Sequence, residues 1–300
     1  MSLTRFAKSH LPWRLKILAK LVLARIPASP DTWRRLSVFR YGEMEEPGYA
    51  WEVAQLHVGR ARTRGLRDEF VALELGPGDS VSSALINAAL GARKTILVDV
   101  AALASRDLAP YRNLAAFLSS LGLEPPDLAG VANLEDLLQA CNAEYLTEGL
   151  KSLQSVPAAS VDLVWSHAVL EHVRRDAFAP TVRETRRVLR QDGMASHRID
   201  LRDHLAEALN NLRFRESVWE SPLMASSGFY TNRLRCSQLL AQFESSGFVV
   251  AELQAVRWPG LPTPRKKLAD PFRSMPEDDL RVFELDVLLR PSEPPFQAAA

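Results

Sequence analysis

VALELGPGDS, residues 71 to 80, sets an acidic residue inside an apolar run and then breaks that run at Gly76, Pro77 and Gly78. The run has the near-continuous apolar character of a strand buried on both faces of a parallel sheet, where packing alone would not select Glu74. The two glycines let the backbone turn sharply and approach a ligand closely, and the helical pattern that begins near Ser80 brings unpaired amide donors to the same place. In an open parallel sheet that place, the carboxyl end of a strand where strand order reverses, is where ligands bind. A tight strand-to-helix turn with no ligand would carry the same G-x-G, so the decision rests on what surrounds it.

Outward from this stretch the pattern alternates. Apolar runs predict strands at 71 to 76, 94 to 100, 143 to 146, 161 to 166, 194 to 201, 248 to 256 and 282 to 289. Helical patterns lie between most of them: SSALINAALG, DLAPYRNLAAFLSSLG, LEDLLQACN and RDAFAPTVRETRRVLRQDG. Strand and helix in succession imply right-handed crossovers and an α/β, Rossmann-like, doubly wound sheet of seven mostly parallel strands. The last two strands are separated by Pro259, Pro262, Pro264, Pro271 and Pro276 instead of a long helix, which predicts an antiparallel last strand pair. The expected organisation is an N-terminal helical segment over 1–67 and a sheet domain over 68–300, with 202–246 as an insertion on the substrate side.

The dinucleotide fingerprint G-x-G-x-x-G would need glycine where Val81 stands. E-x-G-x-G at Glu74, Gly76 and Gly78 is followed 21 residues after Gly78 by Asp99, which ends the second strand. An acid there can accept two hydrogen bonds from a ribose diol; as a lone residue it could equally cap a helix.

LELGPGDS at 73–80, ILVDV at 96–100, SVDLVWSHAVLEHV at 160–173 and ETRRVLRQDG at 184–193 together resemble the class I S-adenosylmethionine-dependent methyltransferases, in their small-molecule branch. The resemblance covers roughly residues 68–201. It implies S-adenosyl-L-methionine as cofactor, with Asp99 on the ribose hydroxyls and the Gly76–Gly78 backbone against the methionine and ribose portion. It further implies Glu74 as orienting the loop or the methionine ammonium, Glu148, Gly149 and Leu150 as framing the adenine, and Ser166 and His167 near the transferred methyl. Ser80 stands where a third glycine is common in this loop.

Methyl transfer from a sulfonium needs chiefly alignment of the acceptor with the methyl carbon, and a base only where the acceptor holds a proton it does not lose unaided. SHRIDLRDH, 196 to 204, places Asp200, Asp203 and His204 together at the end of the fifth strand. His204 is the candidate general base, with Asp203 or Asp200 orienting it; in the competing reading both acids cap a helix over LAEALNN and His204 lies in its first turn. No metal is required, and His197 and Asp200, three apart on a strand, point to opposite faces. In the insertion, Trp219 and Phe229 offer aromatic walls, while Tyr230, Asn232, Arg233 and Arg235 are candidates for holding a polar acceptor. Arginine forks suit carboxylate or phosphate groups, which makes an anionic small molecule or glycan precursor the expected substrate.

The chain has 37 basic and 36 acidic residues in 300, a formal net charge of +1, and two cysteines. This composition describes a globular chain that does not bind nucleic acid wholesale, with no disulfide framework and a default place in the cytoplasm. Six of the basic residues, Arg5, Lys8, Arg14, Lys16, Lys20 and Arg25, fall in the first thirty positions, where there is no acid. With Leu11, Leu15, Leu18 and Val22 on one face, residues 5–26 predict a basic amphipathic helix. It is too short and too charged to span a membrane, and lysines interrupt the run a secretory signal needs. Three readings stand: packing on the main domain, peripheral contact with the inner face of the membrane, or contact with a partner protein. A nicotinamide-dependent reductase is disfavoured because no tyrosine is followed four residues later by lysine. An inactive binding or scaffold protein with the same fold is the alternative.

Overall fold

The computed structural model describes residues 13–23 and 43–293. The chain enters through helix α1 (Trp13–Leu23) and helix α2, which runs Pro47–Ala54, through a π-helical turn Gln55–Gly59, into Arg60–Thr63. Then follow β1 (Val71–Leu75), α3 (Ser82–Ala89), β2 (Lys94–Val98), α4 (Ala109–Ser120), α5 (Leu134–Ala140), β3 (Ala143–Leu146) and α6 (Leu150–Ser155). The second half consists of β4 (Val161–His167), α7 (Arg175–Val188), β5 (Leu189–Asp200), α8 (Cys236–Ser245), β6 (Phe248–Arg257) and β7 (Val282–Pro291), with short helical turns in the connections.

The seven strands form one sheet in the order β3-β2-β1-β4-β5-β7-β6. β1 pairs in parallel with both β2 and β4, so strand order reverses at β1 and the crevice of the doubly wound fold opens there. β7 is inserted between β5 and β6 and runs antiparallel to both, as the proline-rich connection predicts. Every residue of β1 is buried, and its alternating side chains serve two cores. Val71, Leu73 and Leu75 join Phe178 and Val182 of α7 and Phe243 of α8 on one face. Ala72 lies on the other face with Ala50, Val53 and Val58 of α2, Leu85 of α3 and Leu114 of α4. α2 therefore shares its core with the sheet.

The insertion has a core of its own, Leu205, Trp219, Met224, Phe229 and Tyr230, and α1 docks on it through Trp13, Ile17 and Leu21. This corrects the expected apolar face of the N-terminal helix. Leu15 and Val22 are 51% and 56% exposed, while Leu11 and the side chain of Leu18 lie outside the described residues. WRLKILAKLVL carries two apolar stripes, and the one with the larger payload docks: Trp13 meets Phe214 edge-on at 6.1 Å between ring centres, and the Arg213 guanidinium covers the indole at 5.0 Å. Among the described residues no helix is long and apolar enough to cross a membrane.

Candidate functional site

The loop after β1 is built around Asp99. Gly76 and Gly78 have φ of +70° and +67°, a left-handed backbone in which an L side chain is strained. The Gly76 amide donates to the Val98 carbonyl at 2.8 Å, pinning the loop to β2. The Gly78 amide donates to Asp99 Oδ2 at 2.9 Å, and the Val100 amide donates to Oδ1 at 2.6 Å. The Asp99 backbone is fixed as well, its amide to Leu146 O at 2.9 Å and its carbonyl to the Gly149 amide at 2.7 Å. Burial raises the Asp99 carboxyl above its ordinary value, opposed by the amide bonds from Gly78 and Val100. The ends of β1, β2 and β3 are thus joined at one acid.

Glu74 points to the α3 side of the sheet, where the Ser83 hydroxyl donates to its Oε2. Burial pushes this carboxyl up to about 8. Gly149, at φ +57°, and Leu150 begin α6. Val100 lies beside Gly149, its Cγ1 3.4 Å from where a Cβ would stand, and is 77% exposed. An aliphatic side chain so open to water next to a buried acid can cover a flat apolar ring, and its signal in the sequence was an apolar residue directly after the acid of ILVDV.

Val169, in the turn after β4, closes the other side of the loop. A Cβ at Gly76 would sit 2.6 Å from both Val169 methyl carbons. Gly76→Ala is therefore expected to cost about 2 kcal/mol of stability through left-handed strain and contact. Chemical denaturation checks this, and Val169→Ala in the same chain should return the contact part; a Gly76→Ala variant as stable as the parent would show that the loop has room.

His167 and Ser166 belong to different networks. Ser166 Oγ meets His197 Nδ1 at 2.8 Å on the face that carries α7 and α8. His167, on the α2 side, joins residues that the sequence reading did not select: its Nδ1 is 3.3 Å from His57 Nε2, and its Nε2 is 3.4 Å from the Tyr49 hydroxyl. The π-helical turn of α2 carries His57, whose Nδ1 meets Ser196 Oγ at 2.9 Å, a hydroxyl to which Arg60 also donates at 2.7 Å. An inserted π turn re-aims side chains and recurs at functional sites. Burial lowers all three histidines, His167 to about 4, His197 to about 3 and His57 well below its ordinary value, so they are neutral at pH 7.

His204 and Asp203 are adjacent in sequence but differently engaged. Asp203 Oδ1 accepts from the Leu205 and Ala206 amides at 3.0 and 2.6 Å, and Oδ2 accepts from the Asn210 amide and side chain at 2.6 and 3.0 Å. Both oxygens hold a turn, so the residue does not orient His204, and no α-helix forms over 205–211. Asp200 binds the Arg202 guanidinium through both oxygens at 2.9 and 2.8 Å. His204 instead stacks on His172, with ring centres 4.8 Å apart and 20° between planes.

Each of the four substrate-side candidates is engaged by the protein's own groups. The Tyr230 hydroxyl donates to Glu220 Oε2 at 2.8 Å. Asn232 donates to the Leu170 and Val173 carbonyls at 2.8 and 3.0 Å. Arg233 donates to the Phe214 carbonyl at 2.8 Å and lies between the rings of Trp219 and Phe272. Arg235, 1% exposed, donates to the carbonyls of Leu201, Leu280 and Val282. Planar forks that suit a ligand's carboxylate suit convergent backbone carbonyls equally well.

Residues 73–196 match a family model described as a methyltransferase domain. No curated protein matches the chain in sequence. Among solved structures, the PH0226 protein from Pyrococcus horikoshii OT3 is 14% identical, with 88% of this chain and 100% of that chain covered at a TM-score of 0.47. An S-adenosylmethionine dependent methyltransferase from Mesorhizobium loti is 18% identical over 77% of this chain and 96% of that one, at a TM-score of 0.42. A SAM-dependent methyltransferase from Methanosarcina mazei is 14% identical over 78% and 98%, at 0.45.

Proposed function

We propose that this chain, a class I S-adenosylmethionine-dependent methyltransferase over residues 73–196 with S-adenosylmethionine as its cofactor, transfers the methyl group to an oxygen or nitrogen of a small molecule. The observation that carries the reading is the convergence of three strand ends on Asp99. Its buried carboxylate at the end of β2, the left-handed Gly76–Gly78 backbone and the exposed Val100 beside Gly149 offer an acid for a diol, a close-approach surface and an apolar cover, brought together by the ends of three strands. That donor set fits a nucleoside bearing a charged amino-acid tail.

When bound, the cofactor supplies an electrophilic methyl on a sulfonium. Asp99 would accept from the ribose hydroxyls while keeping the Gly78 amide in place, and Val100 and Leu150 would flank the adenine. Glu74 would face the ammonium, directly or through Ser83. His167, neutral and tied to His57 and Tyr49, would line the methyl end without carrying charge into it. Alignment by these groups can supply much of the acceleration of an in-line displacement. With Arg233 and Arg235 engaged internally, those two forks lend no support to an anionic acceptor.

Calorimetric titration with S-adenosylmethionine and S-adenosylhomocysteine, against NADH and NADPH as controls, tests the reading: micromolar binding of the sulfur nucleotides alone is expected. Asp99→Ala should weaken that binding about ten- to a hundred-fold, about 1.5–3 kcal/mol. Undiminished affinity in a folded variant would remove Asp99 from the site, and no binding of either sulfur nucleotide to the folded parent would sink the assignment.

A further inference from the structure

Glu171 is 2% exposed, and only one of its carboxyl oxygens is satisfied: Oε1 accepts the Asp200 amide at 3.3 Å, while Oε2 is buried with no hydrogen-bond partner. A carboxylate oxygen sealed from water carries its full desolvation cost unless something charged or donating meets it. Burial accordingly holds this carboxyl well above its ordinary range. Two imidazoles stand at the same spot. One ligand atom each from Glu171, His172 and His204 lies within 4.8 Å of the other two.

The hydrogen bonding of His172 sets its tautomer. Its Nδ1 is 2.8 Å from the Tyr230 carbonyl, which can only accept, so Nδ1 carries the proton and Nε2 keeps a lone pair. A ring whose second nitrogen donates to a backbone carbonyl is oriented and tuned as metal-ligating histidines are. Tyr230 is itself fixed by Glu220, so the imidazole is held from behind. Neighbouring ligand atoms around a cation at about 2.1 Å lie about 3 Å apart, and side-chain rotation of about 1–2 Å closes the difference.

We propose that Glu171, His172 and His204 form a divalent-cation site that binds the methyl acceptor. One carboxylate and two imidazoles favour Mn²⁺, Fe²⁺, Co²⁺ or Zn²⁺ over Mg²⁺ and Ca²⁺, which prefer all-oxygen sets. Three protein ligands leave positions for water or an acceptor hydroxyl. The site lies beside the same crevice: Asp200, whose amide meets Glu171, ends β5, and Val169, two residues before Glu171, closes on Gly76. The role in transfer rests on the methyltransferase reading. There the cation would lower the pKa of a bound hydroxyl, whose proton leaves to water. The oxygen then attacks the methyl carbon, forming C–O as C–S breaks and the sulfur departs as a neutral thioether, with no redox change.

The test titrates tag-free, dialysed protein with Mn²⁺, followed by calorimetry and electron paramagnetic resonance, and with Co²⁺, whose visible spectrum reports imidazole ligation. One ion per chain is expected, and Glu171→Gln and His204→Asn should each weaken it at least tenfold. His204 is only partly buried, which keeps its variant informative should Glu171→Gln misfold. S-adenosylhomocysteine is titrated into the same samples. Sulfur-nucleotide binding with no stoichiometric metal, or metal affinity unchanged in both variants, overturns the cation site and leaves the methyltransferase reading intact. Metal binding lost in both variants, in protein that takes no sulfur nucleotide, would establish the cation site and overturn its role in methyl transfer.

Discussion

Arg235→Leu is expected to destabilise the protein by about 3–5 kcal/mol, because three buried backbone carbonyls lose a charged donor. The guanidinium donates to Leu201 O at 2.8 Å and Leu280 O at 3.1 Å and bonds Val282 O as well. These carbonyls belong to the end of β5, the helical turn at 277–280 and the first residue of β7, so a single side chain ties the antiparallel strand to the parallel part of the sheet. Burial lowers the Arg235 pKa only to about 10, so it stays charged at neutral pH. Leucine would fill part of the volume and leave three acceptors without their donor, each carrying a desolvation cost of about 1–3 kcal/mol. Arg235→Lys should recover little of the loss, because one ammonium cannot reproduce a planar fork reaching several carbonyls. Urea unfolding followed by circular dichroism measures both variants. A loss under about 1 kcal/mol, with an altered response to an anionic ligand, would return Arg235 to the substrate side.

Arg235 also shows where a sequence stops being informative. The order of strands and helices was legible because buried parallel strands write themselves as short apolar runs, and the antiparallel ending because prolines replace a crossover helix. Asp99 and the Gly76–Gly78 loop were legible because both sit at strand ends, where local chain geometry decides what they can reach. Tyr49 and His57 were not: they meet His167 from more than a hundred residues away, through a π turn that leaves no compositional mark. Arg233 and Arg235 read as ligand forks because a fork's target, ligand or carbonyl, depends on tertiary packing alone. The helix expected over LAEALNN failed for a local reason: Asp203 has enough nearby amides to satisfy both oxygens in a turn, and Glu207 takes a φ of +52° that no helix accommodates. On the N-terminal helix, two apolar stripes were written and only the partner surface, Leu205, Trp219 and Phe229, chose between them.

Glu74 yields the other large effect, through pH. Burial, opposed by the Ser83 hydroxyl and reinforced by Asp99, pushes the carboxyl up to about 8 from 4.5. Between those values Glu74 holds a proton in the folded protein that the unfolded chain has released, so its contribution to stability falls as pH rises, by about 1.4 kcal/mol per pH unit, and levels off above about pH 8. Glu74→Gln keeps the shape, can still accept from Ser83 and cannot ionise. It should match the parent near pH 4.5 and gain on it steadily, by of order 4 kcal/mol at pH 8. Asp99 and Glu171, also raised by burial, steepen the parent's curve in the same direction, while His57, His167 and His197, lowered by burial from 6.5, oppose them below about that pH; the difference between parent and variant isolates Glu74. Urea midpoints at pH 5, 6.5 and 8 measure it, and a gap that does not widen would show that the carboxylate is already ionised and paired. The same proton explains why an acid is kept inside VALEL at all. A cationic ligand group beside Glu74 would draw out its ionised form, so cofactor binding should release a proton, visible as buffer-dependent heat, and should tighten as pH rises towards 8. In Glu74→Gln both effects should vanish while the protein becomes more stable, so that what the strand gives up in stability is recovered only when the crevice is filled.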